Sequence, residues 1–492
     1  MLRNLIISAV SNFSTAYNLV IINIVSVVLE YQYCGGEKGC NAEVSNASTA
    51  CLVGAIFGQL AFGYIGDWIG RGPALQLTMA MSILGAFISA FAVPITNSPE
   101  TVFTFLTLTR FILGVGVGGV YPLAATISTE SSSQADRGRN ASLVFSMQGV
   151  ANLLSPLIVW LLLVICGVPK THSGEVLGKG SLGAAWRIAL GLGALPGVLL
   201  IPFKTVPKMK ASVGHSLEEP IGPVISSKPT MSLWDALKLK KYRWKLLGTA
   251  GGWFFFDITF YGNSLFQSEV LNNIFKANDV GSGPSDTDPP LSGDLPHNRC
   301  IQMTIIALLG LPGYYISVWL MDRLGRRFIQ LQGFFFMAVI FLLLGLLYST
   351  LETTAFGRIA MLLLYGLTFF FSNFGPNSTT FILPSETFPA HLRTTLNGFS
   401  AAMGKAGASI GSYCFKPLKI LWGLENLLIV CAVVSLCGFT ITYFFVEDRR
   451  KLSMNEADDS ADEDAFSEVL SEHAAPVASS SREWTPPTIS AQ

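Results

Sequence analysis

Long apolar stretches broken by short polar turns run through residues 1–450. The first covers residues 5–29, and five more centre near Gly58, Leu84, Val115, Ser155 and Ala194. A polar stretch follows over residues 204–245, with twelve Lys, Arg, Asp and Glu residues and with Pro207, Pro220, Pro223 and Pro229. Six further apolar stretches centre near Thr259, Leu311, Phe341, Phe369, Ala406 and Val433. About 20 apolar residues cross a bilayer as a helix, which satisfies its own backbone groups in lipid. The pattern predicts an all-α integral membrane protein with twelve transmembrane helices. It divides into a six-helix bundle over residues 1–203, a cytoplasmic linker over 204–245, a second six-helix bundle over 246–446 and a tail over 447–492.

Composition narrows the class further. Charged residues make up 13% of the chain, against about 25% in soluble domains, and mean hydropathy is +0.49. A soluble enzyme, a disordered chain and a nucleic-acid binder are excluded, and the net charge of zero advertises no acidic partner. The eight cysteines form no C-x-x-C pair, so neither a metal site nor a cofactor is expected. The long first apolar run, without a small-residue cleavage site, reads as a span rather than a removable signal. The tail carries eight acids and no Lys or Arg between residues 456 and 472, a disordered composition.

Orientation follows from Lys and Arg. With both termini and the linker on one side, that side collects most of the 32 basic residues and is expected to be cytoplasmic. Cys34 and Cys40 then share the first outer loop with Cys300 near another, and both a disulfide and free thiols remain open. Asn46-Ala47-Ser48 is an outer-side glycosylation pattern, but matches at Asn12, Asn140 and Asn377 fall in the membrane or on the cytoplasmic face.

The two halves echo each other. Asp67-Trp68-Ile69-Gly70-Arg71 and Asp322-Arg323-Leu324-Gly325-Arg326 both read D-x-x-G-R. At nearly the same interval Gly119 matches Gly375, Glu130 matches Glu386 and Arg137 matches Arg393. The halves are therefore parallel six-helix repeats, the arrangement of transporters with midplane sites between their halves. In each turn the carboxylate is expected to cap a neighbouring helix N-terminus while the arginine pairs across the loop. Together Asp67, Arg71, Glu130, Arg137, Asp322, Arg326, Glu386 and Arg393 are read as a cytoplasmic gate latch.

Charged and polar groups inside spans need a reason, since a charge at mid-bilayer costs at least about 2.5–3.5 kcal/mol. Arg110 opens a glycine-rich stretch of span 4. It is expected to pair with backbone or a polar group of a neighbouring helix, in a structural or a coupling role. Trp253, Asp257 and Tyr261 stand four residues apart in span 7 and so share one stripe of that helix. Tyr121, Gln148, Asn377 and Lys405 complete the candidate set, with Tyr121 and Asn377 at pseudo-equivalent positions in the two halves. Hydrogen-bond donors, one cation and one acid suit a small oxyanion. Phosphate carries O–H groups that a carboxylate accepts, whereas sulfate at neutral pH has none. Asp257 can also take a proton, which removes its repulsion of the anion and links loading to a proton. No nucleophile–base pair or metal-ligand cluster points to a membrane enzyme.

At this point the chain resembles the phosphate:proton symporters of the major facilitator superfamily, the plant and fungal high-affinity phosphate transporters. The family signature GGDYPLSATIMSE is met by residues 118–130, Gly118-Gly119-Val120-Tyr121-Pro122-Leu123-Ala124-Ala125-Thr126-Ile127-Ser128-Thr129-Glu130. The span-10 pattern is similar from Phe374-Gly375-Pro376-Asn377 through Glu386-Thr387-Phe388-Pro389 to Arg393, as are Met147-Gln148-Gly149 and Gly404-Lys405. The resemblance implies the major facilitator fold and a phosphate shell of Tyr121, Gln148, Trp253, Asp257, Tyr261 and Asn377, with Lys405 nearby. It also exposes departures. The family's first span reads close to F-F-T-D-A-Y-D, and Thr15 and Asn18 stand here at its two acids. Val120 replaces the signature's Asp. Those acids belong to the family's proton path, which leaves Asp257 as the remaining proton-responsive acid.

The expected function is secondary active transport of inorganic phosphate across a lipid bilayer by alternating access, with H⁺ as coupling ion and the plasma membrane as location. Sodium coupling, uncoupled phosphate transport, an organic phosphate or sugar substrate, and a transport-dead phosphate sensor are the alternatives. Nothing in the sequence indicates the oligomeric state.

Overall fold

A computed structural model describes residues 2–33, 41–92, 99–168, 179–201, 233–276 and 296–447. Cys34, Cys40, most of the linker, the stretch 279–295 and the acidic tail from residue 448 lie outside the described residues. The described residues form fourteen helices and no strand: α1 (Leu2–Tyr33), α2 (Asn41–Ile69), α3 (Arg71–Ser89), α4 (Pro99–Glu130), α5 (Arg137–Ile165), α6 (Lys179–Leu192), α7 (Leu195–Leu200), α8 (Leu233–Lys238), α9 (Lys240–Lys276), α10 (Pro296–Leu324), α11 (Arg326–Glu352), α12 (Ala355–Asn373), α13 (Pro376–Thr387) and α14 (Arg393–Phe445).

Ten helical stretches among them are long and apolar enough to cross a bilayer. Two are built from broken pairs, α6 with α7 over Leu182–Leu200 and α12 with α13 over Ala355–Thr387. α14 makes two passes, bent at Gly423, whose φ of 80° ends one and starts the next. The two passes that fall short of that hydropathy are α9 and the first part of α14. They carry Asp257 and Lys405 together with Thr, Ser, Asn and Gly residues. Twelve passes result, and the two least apolar ones carry the central charges.

The distribution of side chains is that of a protein immersed in lipid. Trp68, Phe356, Ile420 and Leu421 are exposed on the outside, whereas Asn12, Asn18, Arg110, Asp257 and Lys405 are buried. Intramembrane polar groups turn inward because hydrocarbon offers them no partner. The halves meet where α2 packs on α14 and α5 on α10.

Two glycine features position the site. Gly70 (φ 96°) and Gly325 (φ 85°) sit in the left-handed region at the equivalent turns between α2 and α3 and between α10 and α11, where a β-carbon would be strained. On α14, a β-carbon at Gly407 would overlap the Phe254 carbonyl oxygen, and one at Gly411 would overlap that of Ile258. The Gly-x-x-x-Gly spacing thus lets the backbones of α9 and α14 touch, as small residues do in membrane helix pairs.

Candidate functional site: a buried ion pair beside a polar cavity

The α9/α14 seam sets Lys405 against the polar stripe of α9. Lys405 Nζ lies 2.9 Å from Asp257 Oδ2 and 3.0 Å from the Tyr261 hydroxyl oxygen. Trp253, one turn before Asp257, hydrogen-bonds the same carboxylate. The side chains of Lys405 and Asp257 are 3% and 2% exposed. Pairing and hydrogen bonding make such burial tolerable, because two uncompensated charges would each cost several kcal/mol, roughly. The stripe of Trp253, Asp257 and Tyr261 faces the interior, and the lysine projects inward to meet it.

A cavity of about 60 Å³ opens between the halves. One water needs roughly 10–15 Å³ on that measure, so the space suits a few waters or one tetrahedral oxyanion. Tyr121 and Gln148 of the first half and Tyr261 of the second line it. The Gln148 Oε1 accepts no hydrogen bond among the described residues. Lys405 stands behind the wall, its Nζ 4.4 Å from the Tyr261 ring centre and 5.4 Å from that of Tyr121. The sites expected from sequence thus split into Tyr121, Gln148 and Tyr261 on the wall, with Trp253, Asp257, Asn377 and Lys405 behind it.

Asn377 occupies the first turn of α13, just past the break at Gly375-Pro376. Its Nδ2 donates to the Tyr314 hydroxyl at 2.8 Å and to Asn373 Oδ1 at 2.7 Å. Tyr314 and Asn373 line the cavity. Asn377 therefore reaches the cavity through two intermediaries. Both were missed by sequence reasoning, as were the cavity residues Asn23, Asn152 and Gln267. Asn152 had a usable signal, standing one helical turn beyond Gln148 on the same face. Tyr314 had only its phenol in an apolar span.

On the side that carries the chain's N-terminus, the two D-x-x-G-R turns act alike. Asp67 accepts hydrogen bonds from the Thr394 and Thr395 backbone N–H groups at 3.3 and 2.7 Å and from the Thr395 hydroxyl at 2.7 Å. Asp322 accepts from the Gly138 and Arg139 N–H groups at 3.0 and 2.7 Å. Each carboxylate thus meets the N-terminus of a helix in the other half, where backbone donors and the helix dipole favour negative charge. Arg71 bridges Asp67 at 3.2 Å and Glu130 at 3.3 Å, and Arg393 reaches Glu130 at 2.9 Å. Arg326 bridges Asp322 at 2.9 Å and Glu386 at 2.7 Å, with Arg137 within electrostatic reach of Glu386. These contacts hold the halves together at that face.

Arg110 is fully buried and donates from Nη2 to the Asn18 carbonyl oxygen at 2.6 Å. Its Nε and Nη1 have no hydrogen-bond partner among the described residues. Asn18 itself donates to the Ser14 and Gly193 carbonyls at 2.9 Å each, and Val120 is packed in an apolar cluster.

A sequence model described as Major Facilitator Superfamily matches residues 6–412. The chain belongs to that superfamily. Within it, the chain is 33% identical to "Probable inorganic phosphate transporter 1-6" of Arabidopsis thaliana, over 91% of each chain. It is also 33% identical to "Inorganic phosphate transporter 1-6" of Oryza sativa subsp. japonica, over 94% of this chain and 93% of that one. A third relative, "Low affinity inorganic phosphate transporter 1" of Petunia hybrida, is 32% identical over 91% and 90% of the two chains. Membership in the plant-type phosphate transporter family follows from these matches. Among solved structures, the proton:xylose symporter XylE bound to 6-bromo-6-deoxy-D-glucose superposes with a TM-score of 0.68. It covers 93% of this chain and 98% of that one at 15% identity, a likeness of fold. As a superfamily member the chain is a multi-pass transporter and not an enzyme.

Proposed function

We propose that this protein carries inorganic phosphate across the plasma membrane by alternating access, with one binding site between its halves and H⁺ as the coupling ion. The observation that carries the reading is the Lys405–Asp257–Tyr261 cluster, set behind a cavity whose wall offers Tyr121, Gln148 and Tyr261. The names of the relatives support phosphate as the substrate.

The mechanism follows from charge. In the empty site Asp257 holds Lys405. A phosphate arriving at the Tyr121 and Tyr261 hydroxyls and the Gln148 amide competes for the ammonium. Asp257, losing its counter-ion, takes a proton and no longer repels the anion. Its carboxyl group then exchanges hydrogen bonds with the phosphate O–H groups. With both termini on the cytoplasmic face, in keeping with the Lys/Arg bias, the contacts of Asp67 and Asp322 close that side, and the present conformation is cytoplasm-closed. Release inward requires those contacts to part while the outer ends of the halves approach.

Purified full-length protein in proteoliposomes, given radiolabelled phosphate under an imposed pH gradient or an imposed sodium gradient, tests the reading. Accumulation driven by an acid exterior, and lost in Asp257→Asn, is expected. Accumulation driven by sodium alone, or binding without flux, would overturn it.

A further inference from the structure

We infer that this transporter moves no net charge, taking one proton with each monovalent phosphate, so that its uptake is insensitive to membrane potential. The inference rests on the proton-coupled reading above and goes beyond it to the stoichiometry.

Acids are scarce in the interior. Asp257 is the single buried Asp or Glu among the described residues. In the first half, Thr15, Asn18 and Val120 are buried and uncharged. Arg110, a buried cation within α4, makes its hydrogen bond to the Asn18 backbone carbonyl and not to an acid, and the other buried cation of that half, Arg137, lies at the start of α5 near Glu386. The groups that bear on Asp257 are Lys405 on α14, Tyr121 on α4, and Trp253 and Tyr261 on α9 itself, with Cys51 on α2 near the two tyrosines and Lys405. Phenols and thiols ordinarily keep their protons in the working range, and the lysine is paired with the Asp257 carboxylate at 2.9 Å. His297, the other buried group of suitable chemistry, sits in the first turn of α10 and does not line the cavity. One protonation at one carboxylate is what the interior provides.

The site carries the same charge in its two states. Empty, the Lys405 ammonium and the Asp257 carboxylate sum to zero. Loaded with one dihydrogen phosphate and one proton on Asp257, the ammonium, the neutral acid and the anion again sum to zero. The side chains lining the cavity carry no formal charge in either state, its polar groups being amides such as those of Gln148, Asn152, Gln267 and Asn373, the Ser264 hydroxyl and the phenols of Tyr121, Tyr261 and Tyr314. The moving core therefore has the same charge going in as coming back. Both partners of the pair lie on the α9/α14 seam of one half, so the rocking of the halves does not separate them.

The test uses the full-length protein in proteoliposomes, with an acid exterior so that dihydrogen phosphate predominates. Potassium gradients and valinomycin set the membrane potential to zero or to 100 mV, inside negative. Phosphate accumulation should follow the pH gradient and change less than about twofold between the two potentials. A second proton per phosphate would add one positive charge to the cycle, worth about 2.3 kcal/mol per 100 mV, or roughly 50-fold in accumulation. That enhancement would overturn the inference and leave the proposed function standing. Suppression of influx by the inside-negative potential, with no drive from the pH gradient, would mean uniport of the bare anion and would overturn both.

Discussion

Asn377 donates its side-chain amide to the Tyr314 hydroxyl oxygen at 2.8 Å, so that the phenol's own O–H proton is left to point elsewhere. With the acceptor side of the hydroxyl occupied, Tyr314 becomes an oriented donor on the cavity wall. A donor to an anion is worth about 1.5–3 kcal/mol. Tyr314→Phe should therefore raise the phosphate KM roughly 10- to 100-fold with kcat changed much less. If Asn377 acts through Tyr314, Asn377→Ala should cost about as much alone and add little in the Tyr314→Phe background. A double-mutant cycle on uptake KM distinguishes this from direct contact, which would give additive losses.

The buried pair predicts an asymmetry in stability. Lys405→Met strands Asp257, and losing one partner of a buried pair costs roughly 3–5 kcal/mol. Lys405→Met with Asp257→Asn removes both charges and should recover much of that loss. Thermal unfolding in detergent reads the difference, while phosphate uptake should be absent in both variants. Recovery of stability without recovery of transport would separate the structural from the functional role of the pair.

Loosening the latch should move the conformational balance. Asp67→Asn weakens the charge-assisted bonds to Thr394 and Thr395, and Asp322→Asn weakens those to Gly138 and Arg139. A loss of about 1.5–3 kcal/mol would favour the open form of that face about 10- to 100-fold. Ser128 is buried near that end of α4. In a background lacking native cysteines, Ser128→Cys should be alkylated faster when either aspartate is replaced, and an unchanged rate would remove the latch role.

Packing at the seam gives a further expectation. Gly411→Leu places a side chain where the Ile258 carbonyl stands. It should separate α9 from α14, pull Lys405 from Asp257 and abolish uptake. Gly411→Ala should be intermediate. Expression level and thermal stability, measured beside transport, will report whether the pair is lost within a folded protein.

The fold was largely legible because bilayer thickness imposes long apolar runs, and the repeated D-x-x-G-R turns announced both the duplication and the capping carboxylates. The stripe of Trp253, Asp257 and Tyr261 was legible from helical periodicity alone. The pairing of Asp257 with Lys405 was not, since it joins residues 148 apart in the chain and depends on glycines whose role appears only when two backbones touch. The Asn377–Tyr314 relay was hidden for a similar reason. It exists because α12 and α13 break at Gly375-Pro376, which turns Asn377 toward α10 and away from the cavity it was expected to line. The passes centred near Thr259 and Ala406, α9 and the first part of α14, were legible with the other ten although they are less apolar, because they carry the chemistry.

The first pass of α14 carries two duties on one rod. Thr394 and Thr395 at its start receive Asp67 from the other half, and Lys405 stands eleven residues on, about 16 Å along the axis. On the proposed reading, an event at the phosphate site would reach the contacts of Asp67 through that stiff connector without any intervening loop. Cargo and door would then share a single lever, and a tilt of this helix would register at both ends at once.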